Sequence, residues 1–269
     1  MGYQNLHIDI SDHVATLWLN RPEKRNALSE DIWLDIPKAM ADLDSDESIR
    51  VVVLAGRGPS FCVGIDIELL MTLSPTGASQ AAANMDLYQT IKKLQSTANS
   101  FANSPKPVIA SIQGHCLGGG IDLITGADIR VASADALFSI RETKMGLVAD
   151  TGTLQRLPAI LGSGVVAEMA YTGGDYDAEW AKSHGLVNEV FADQESLAEG
   201  TRVLARTIAA NSPLAVQGIK KVFAATEGMN VEQALDYAAQ WNASFLISND
   251  LMESINAFLE KRDPDYTGT

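Results

Sequence analysis

Residues 106–123 read KPVIASIQGHCLGGGIDL, and most of the predicted architecture follows from this stretch. Pro107–Ile112 is a short apolar run typical of a buried strand, and it leads through Gly114 into the glycine triplet Gly118–Gly120. A helix is predicted over Ile121–Gly126, so the triplet lies at a helix start, where backbone N–H groups lack intrahelical partners. Glycines let a ligand approach those amides closely. The turn is therefore a candidate site for an anion or for a negative oxygen that forms during a reaction.

Another glycine turn, the first of the two in chain order, follows another predicted buried strand, and the turn at the triplet is the second. Val51–Ala55 (VVVLA) is a β-branched run without a polar break, and Phe61–Ile67 (FCVGIDI) comes after it. Gly64 in this turn allows the backbone N–H of Ile65 to face a ligand. Two such strand-to-turn units can meet and offer two N–H donors to one oxygen.

Three acidic side chains lie in otherwise apolar sequence. Asp122 is in the first turn of the helix after the triplet, Glu142 follows the predicted strand Leu137–Ile140, and Asp150 follows the run MGLVA. Carboxylates among apolar neighbours are costly unless paired, and they often have raised pKa values and acid/base roles. Two structural alternatives stay open: Asp122 as a charge that stabilises the helix dipole, and Asp150 as a cap for the helix that begins near Thr153.

The composition argues against several classes of protein. The chain has 269 residues, with 20 Lys and Arg against 34 Asp and Glu, and the resulting net charge of −14 disfavours a nucleic-acid or membrane-surface binder. It has no P-loop, GxGxxG, G-x-S-x-G or HExxH pattern, and its two cysteines and four scattered histidines predict neither a metal site nor a disulfide framework. No apolar run is long enough to span a membrane, the N-terminus lacks the apolar core of a signal peptide, and the C-terminal DYTGT is not a peroxisomal signal. We therefore expect a cytoplasmic protein.

The order of predicted elements indicates an α/β core followed by helices. Strands and helices alternate in the first half, and from Thr153 onward the pattern is mostly helical, with one strand at Leu186–Phe191. We expect a division at residue 195, into a core of residues 1–195 and a helical region of residues 196–269. Pro75 and Gly77 predict an interruption before the long helix Ala81–Phe101.

The sequence resembles the crotonase superfamily of enoyl-CoA hydratases and isomerases over nearly the whole chain. The similarity is carried by the two glycine turns, by Asn20-Arg21-Pro22 with Asn26-Ala27-Leu28, and by the segments ADIRVAS, LQRLPAILG and TGGDYDAEWAKSHGLVNEV. It implies an α/β crotonase-like (ClpP/crotonase) fold, a spiral of ββα units with an acyl-CoA site in residues 1–195 and a helical C-terminal oligomerisation region in residues 196–269.

The resemblance also implies roles for the acidic residues. In that family, the last position of GGG-x-E/D and a Glu 20 residues later are the paired carboxylates of hydratases, and here they are Asp122 and Glu142. The first is one methylene shorter than the usual Glu, and Asp150 adds an acid where hydratases have a loop rich in Pro and Gly. The set resembles the Δ3,5-Δ2,4-dienoyl-CoA isomerase branch, whose site carries Asp, Glu and Asp at this spacing. It implies Glu142 near C2 of the acyl chain, Asp150 near C6, Asp122 orienting both, and the amides of Ile65 and Gly119 as an oxyanion hole.

Two alternatives to the dienoyl-CoA isomerase interpretation remain, one a different enzyme of the same superfamily and one a non-catalytic homologue. An enoyl-CoA hydratase or a Δ3-Δ2-enoyl-CoA isomerase of fatty-acid β-oxidation uses Asp122 and Glu142 but gives Asp150 no role. A non-catalytic acyl-CoA-binding or RNA-binding homologue is disfavoured by the complete carboxylate set and, for RNA, by the net charge of −14.

The same resemblance implies how the substrate and other subunits bind. Coenzyme A is part of the substrate, so no separate cofactor and no metal are expected. The residues implied to line the acyl-CoA site are Val63, Gly64, Ile65, Asp66, Ile67 and Gly119. Candidates for the CoA phosphates are Lys24, Arg25 and Arg57, which fit plain surface charges equally well. Family members are usually homotrimers or dimers of trimers, and these apolar residues suit a subunit interface or an intrachain core: Phe245, Leu246, Leu251, Ile255 and Phe258.

Overall fold

The computed structural model describes residues 2–72 and 76–269, so the predicted interruption at Pro75 lies outside the described residues. The strands are β1 (Leu6–Ser11), β2 (Val14–Leu19), β3 (Val51–Gly56), β4 (Val108–Ile112), β5 (His115–Leu117), β6 (Ile129–Ser133), β7 (Leu137–Ser139), β8 (Tyr176–Asp177) and β9 (Glu189–Phe191). The α-helices are α1 (Glu30–Ser45), α2 (Ile67–Thr72), α3 (Gln80–Asn103), α4 (Gly119–Thr125), α5 (Thr153–Leu161), α6 (Ser163–Thr172), α7 (Ala178–Ser183), α8 (Gln194–Ala209), α9 (Pro213–Thr226), α10 (Val231–Phe245) and α11 (Asn249–Glu260). Pro22–Lys24 and Glu142–Met145 form short 3-10 turns.

Six strands form one sheet in the order β1-β2-β3-β4-β6-β9. β1 pairs antiparallel with β2, and the remaining neighbours are parallel. The sequence did not predict β1, because this edge strand buries only Leu6 and so lacks the apolar pattern of the inner strands. The predicted strands at 51–55, 107–112 and 129–132 are inner strands of this sheet.

Helices cover both faces of the sheet, which explains why β3 has no polar residue. Val52 and Leu54 belong to the core on the α1 side, while Val51, Val53 and Ala55 pack on the opposite face with apolar residues of α8. Successive side chains of a strand point to opposite faces, so a strand covered on both sides is apolar throughout.

A smaller sheet lies where the two glycine turns meet. β5 pairs parallel with β7, and β7 pairs antiparallel with β8. The sequence predicted β7, as Leu137–Ile140, but neither of its neighbours, which exist as strands through their pairing with it. Isolated bridges between Cys62 and Cys116 and between Leu28 and Ile65 attach the first glycine turn to this region.

The C-terminal helices differ in what they pack against. α8 begins at Gln194 and lies on the sheet, so the helical part after residue 195 starts with a helix of the core. α9 and α10 pack against each other. The division into residues 1–195 and 196–269 stays a prediction. Within the described ranges, none of the helices combines the length and apolar character needed to cross a bilayer.

Candidate active site

The two glycine turns are in direct contact. Gly64 has φ +93°, and a Cβ at this position would lie 3.0 Å from the carbonyl oxygen of Leu117 and 3.2 Å from the amide nitrogen of Gly119. Leu28 holds the turn from its other side, because its N–H donates to the Gly64 carbonyl at 2.8 Å and its carbonyl accepts from the Asp66 N–H at 3.0 Å. The approach of the two turns therefore depends on the absence of a side chain at Gly64.

This arrangement leaves two backbone amides available at the contact. The Leu28 bonds go to the residues on either side of Ile65, so the Ile65 amide faces away from Leu28. Gly119 is the first residue of α4, and its amide has no acceptor within the helix. In the described part of the chain, neither amide donates a hydrogen bond to another protein group. Two unpaired N–H groups beside a glycine turn can stabilise a negative oxygen.

Asp122 is buried and joins two helices. Its Oδ1 accepts from the backbone N–H and from the hydroxyl of Thr153, both at 2.7 Å, so Asp122 of α4 caps the start of α5. Burial raises the pKa of Asp122, and the hydrogen bonds from Thr151 and Thr153 oppose that rise. Through its Oδ1 the carboxylate holds the start of α5 against α4 beside the site.

Glu142 lies over the second glycine turn with a free oxygen. It begins the 3-10 turn after β7, and its Oε1 would lie 3.4 Å from a Cβ at Gly118. Its Oε2 is buried and has no hydrogen-bond partner in the described ranges. Burial, with the charges of Asp122 and Asp150, raises the pKa of Glu142 to about 7. Near neutral pH this carboxylate can therefore either accept or donate a proton.

Asp150 lies at the exposed rim of the same group of acids. Gln95 of α3 donates to the backbone carbonyl of Asp150 at 2.7 Å. Desolvation, with the charge of Asp122, raises the pKa of Asp150, and Asp150 in turn raises that of Glu142. The alternative in which Asp150 caps α5 is wrong, since Asp122 takes that position on Thr153.

A cavity of about 360 Å³ opens beside Glu142. Its walls are mainly apolar and come from the loop after Glu142 and from α5 and α6, including Leu147, Leu154, Val166 and Tyr171. A larger cavity of about 580 Å³ lies between the sheet and α8. The described residues that line this larger cavity include no carboxylate, so it lacks the acid/base groups that converge at Glu142.

The pattern over residues 9–269 matches the family described as enoyl-CoA hydratase/isomerase. The chain belongs to this family. A Delta(3,5)-Delta(2,4)-dienoyl-CoA isomerase of Arabidopsis thaliana, named as peroxisomal, is 42% identical to it, with 98% of each chain covered. One of Dictyostelium discoideum, named as mitochondrial, is 40% identical over 98% of this chain and 91% of its own. The crystal structure of an enoyl-CoA hydratase from Bacillus anthracis superposes with a TM-score of 0.89 at 30% identity, covering 99% of this chain and 100% of that one.

These comparisons confirm the resemblance, the crotonase-like α/β fold and the prediction that the chain is an enzyme. For this member of the enoyl-CoA hydratase/isomerase family, the structure also places the basic candidates. Lys24 pairs with Glu68 at 3.1 Å, and Arg57 pairs with Asp9 at 3.4 Å. Arg25 is exposed at the end of the first 3-10 turn.

Arg21 helps to form the site, although the sequence indicated no role for it beyond its place in the Asn20-Arg21-Pro22 motif. Its guanidinium bonds the carboxylate of Asp66 and donates to the Ala27 carbonyl at 3.1 Å, which holds the first glycine turn of the family fold in place. The hydrogen bond from Arg21 lowers the pKa of Asp66. Both oxygens of that carboxylate are bonded within the protein, because Oδ1 accepts from the Glu68 N–H at 2.9 Å. The sequence signal was the Asn20-Arg21-Pro22 motif.

Proposed function

We propose that this enzyme isomerises a 3,5-dienoyl-CoA to the 2,4-dienoyl-CoA. The observation that carries the proposal is the third acid, Asp150, which shares one electrostatic cluster with Asp122 and Glu142. The names of the relatives from Arabidopsis thaliana and Dictyostelium discoideum support the same activity.

The reaction moves one proton from C2 to C6. The Glu142 carboxylate removes the C2 proton, and the electrons of that C–H bond pass into the diene and thioester to give an extended enolate. The amides of Ile65 and Gly119 donate to the negative thioester oxygen, an effect typically worth about 3 kcal/mol for one donor. Protonated Asp150 then delivers a proton to C6, which leaves the double bonds at C2 and C4. The raised pKa of Asp150 favours the protonated form that this step requires. Glu142 then releases the proton taken from C2 and Asp150 takes one up, directly or through solvent at its exposed rim, so that both acids return to their starting states.

Asp122 supports both transfers without moving a proton itself. Its carboxylate is buried and held by Thr153, and its charge raises the pKa of both Glu142 and Asp150. A buried negative charge at this position therefore matches both acids to proton transfer near neutral pH.

The substrate is an acyl-CoA, and no separate cofactor takes part. The apolar cavity beside Glu142 suits the acyl chain beyond the reacting carbons. The backbone of Val63–Ile67 and Gly119 holds the thioester end, and Lys24, Arg25 and Arg57 are the basic groups for the CoA phosphates. The pair with Glu68 keeps Lys24 beside the helix that follows the first glycine turn, while Arg57 pairs with Asp9 on β1.

Replacing the third acid separates this function from hydration. Asp150→Asn is expected to lower the rate of diene formation by at least about 100-fold, because the amide cannot donate an acidic proton to C6. Hydration of a 2-enoyl-CoA, which needs only the other two acids, stays within about threefold of its wild-type rate. The measurement is the longer-wavelength absorbance of the 2,4-dienoyl thioester, with hydration followed in parallel. Asp263→Asn, an exposed acid near the C-terminus, is the matched control.

The second candidate is an enoyl-CoA hydratase. It is favoured by the name of the solved structure from Bacillus anthracis and by the Asp122–Glu142 pair. Fast hydration by the wild type, with no diene signal and an unchanged rate in Asp150→Asn, would replace the isomerase proposal with this one.

We also propose that the enzyme is a homotrimer or a dimer of trimers formed through its C-terminal helices. Four of the predicted interface residues are exposed in the single chain, with Phe258 at 83%, and the neighbouring Ile247 and Leu259 are exposed at 88% and 72%. Such a surface favours burial against another subunit over a place in the intrachain core. Residues of this set with exposed side chains are Phe245, Leu246, Ile255 and Phe258.

A single charge in this surface tests the assembly. Phe258→Asp is expected to convert a trimeric or hexameric wild type into a smaller species in sedimentation velocity. The reason is that an unpaired carboxylate buried at an apolar interface costs about 3 kcal/mol. Ile10→Asp, on β1 and 55% exposed, is the control that keeps the wild-type mass. A monomeric wild type would contradict the proposal.

The cytoplasmic location is part of this proposal as well. Cys62 and Cys116 are free and buried, which suits a reducing compartment. Two of the relatives are named as peroxisomal or mitochondrial proteins. Fractionation of the native cells tests the location of this chain, and recovery of the protein with an organelle would overturn the cytoplasmic proposal.

A further inference from the structure

The guanidinium of Arg156 lies against the loop that carries Asp150. Gly152 has φ +140°, a conformation that favours glycine, and a Cβ at this position would lie 2.1 Å from Nη1 of Arg156, so the loop passes directly over this side chain. The backbone N–H of Arg156 also donates to the Gly152 carbonyl at 3.0 Å. The loop and the first turn of α5 are therefore packed onto one another through Arg156.

Helix α3 holds the same loop. Nη2 of Arg156 donates to Oδ1 of Asn99, and Nε2 of Gln95 donates to the carbonyl of Asp150 at 2.7 Å. Gln95 and Asn99 are four residues apart and lie on one face of α3. Residues 150–152 are thus tied to α3 at one end by Gln95 and at the other by the Arg156–Asn99 contact.

Arg156 also brings a positive charge to the acidic cluster. Burial raises the pKa of Asp122, and the charge of Arg156 is among the influences that oppose the rise. The other titratable groups that face this region are Glu142, whose pKa is raised by the charge of Asp122 and which is present in wild type and variants alike, Asp150 on the loop, and Glu227 after α9. Lys92 of α3 donates to Gln95 at 2.8 Å. Nη1 of Arg156 is buried and has no hydrogen-bond partner in the described ranges, so the fold alone does not use this donor.

We propose that Arg156 is a positioning residue: its guanidinium supports the Asp150 loop, Asn99 and Gln95 tie that support to α3, and its charge faces Asp122. The proposal rests on the proposed function only where it assigns proton transfer to Asp150. Loosening the loop displaces Asp150 from C6, while the thioester and CoA are held by the glycine turns. The turnover rate is therefore affected and substrate binding is not.

Activity measurements test the support of the loop. Arg156→Met is expected to lower kcat for diene formation by about 100-fold, since a displacement of about 1 Å at a reacting group has an effect of this size. KM stays within about threefold. Asn99→Ala keeps the charge but frees the guanidinium, and a decrease of about 10-fold is expected. Arg202→Met, an exposed arginine on α8, is the matched control and keeps the wild-type kcat.

Stability measurements test the charge independently of any reaction. Without Arg156 the pKa of buried Asp122 rises further above its unfolded value, so the folded state is weakened once the pH is high enough to ionise this carboxyl. The denaturant midpoint of Arg156→Met is therefore expected to fall further below the wild-type midpoint as the pH rises from 5 to 8. Arg156→Lys removes most of this pH dependence because it keeps a charge, while kcat stays low because lysine lacks the planar fork. Asn99→Ala shows no added pH dependence.

The outcomes separate this proposal from the proposed function. A midpoint difference that is equal at pH 5 and pH 8, together with wild-type kcat in Asn99→Ala, would overturn the role of Arg156. If the wild type forms no diene, the isomerase proposal fails, and the pH dependence of the midpoint still supports or overturns the charge role. Should Arg156→Met not fold, Arg156→Lys and Asn99→Ala still test the support of the loop, and Arg156→Gln, which also removes the charge, takes the place of Arg156→Met in the stability test.

Discussion

Glu142→Gln is expected to lower the rate of diene formation by about 1000-fold, the largest loss from any single isosteric change in the site. The amide has the size of the carboxylate but cannot accept the C2 proton. Within the described ranges, the buried Oε2 of Glu142 has no hydrogen-bond partner, and this side chain lies over the glycine turn, where it can reach the substrate. The measurement is kcat/KM for a 3,5-dienoyl-CoA, and a rate within 10-fold of wild type would remove Glu142 from the mechanism.

The wild-type pH profile follows from the same residue. Glu142 must be ionised to accept a proton, and its pKa is raised to about 7. We therefore expect kcat/KM for the isomerisation to fall as the pH drops below about 7, roughly tenfold for each pH unit. A profile that stays flat down to pH 5 would contradict this assignment.

Folding of the variant is checked through its stability. Between its ordinary pKa of 4.5 and about 7, Glu142 is protonated in the folded state and ionised in the unfolded state, so stability falls as the pH rises through this window. The full shift corresponds to about 3 kcal/mol, which is an upper limit. Glu142→Gln removes this loss, so the variant is expected to be more stable than wild type at pH 8 and similar at pH 4. Glu179→Gln, an exposed acid on α7, serves as the control with no gain.

Gly64→Ala is expected to lower the same rate by about 100-fold or more. Its methyl group would lie 3.0 Å from the Leu117 carbonyl and 3.2 Å from the Gly119 amide nitrogen, and the positive φ adds strain. Either the turns separate or the Gly119 amide rotates, and both changes move a donor away from the thioester oxygen. The enolate then loses one hydrogen bond, while the acids are unchanged.

Another glycine controls for the strain of a positive φ. Gly228 has φ +75°, and a Cβ there would have no atom within 4 Å, so Gly228→Ala introduces the strain without the clash. We expect this control to lose stability and to keep its rate within about twofold. Equal rate losses in the two variants would show that the contact between the glycine turns is not what supports catalysis.

Several features of the fold were readable in the sequence because they depend on short-range patterns. β3 and β4 were evident from apolar runs that suit strands covered on both faces. The glycine triplet indicated α4, although the helix begins at Gly119, within the triplet, and not at Ile121 as predicted. β1 and β5 were not predicted from the sequence, each for a different reason. β1 is an exposed edge strand with little apolar pattern, while β5 is three residues long and exists through its pairing with β7.

The candidate site divides in the same way. By itself the sequence determined the family, the strand-to-glycine-turn units and the presence of three acids, since each of these is a matter of residue type and spacing along the chain. Only the tertiary structure decided that Asp122, and not Asp150, caps α5, that Arg21 holds Asp66, and that Arg156 lies beneath Gly152. These contacts join residues that are far apart in sequence. Burial and neighbouring charge, which raise the pKa of Glu142 to about 7, likewise exist only once the chain has brought the acids together.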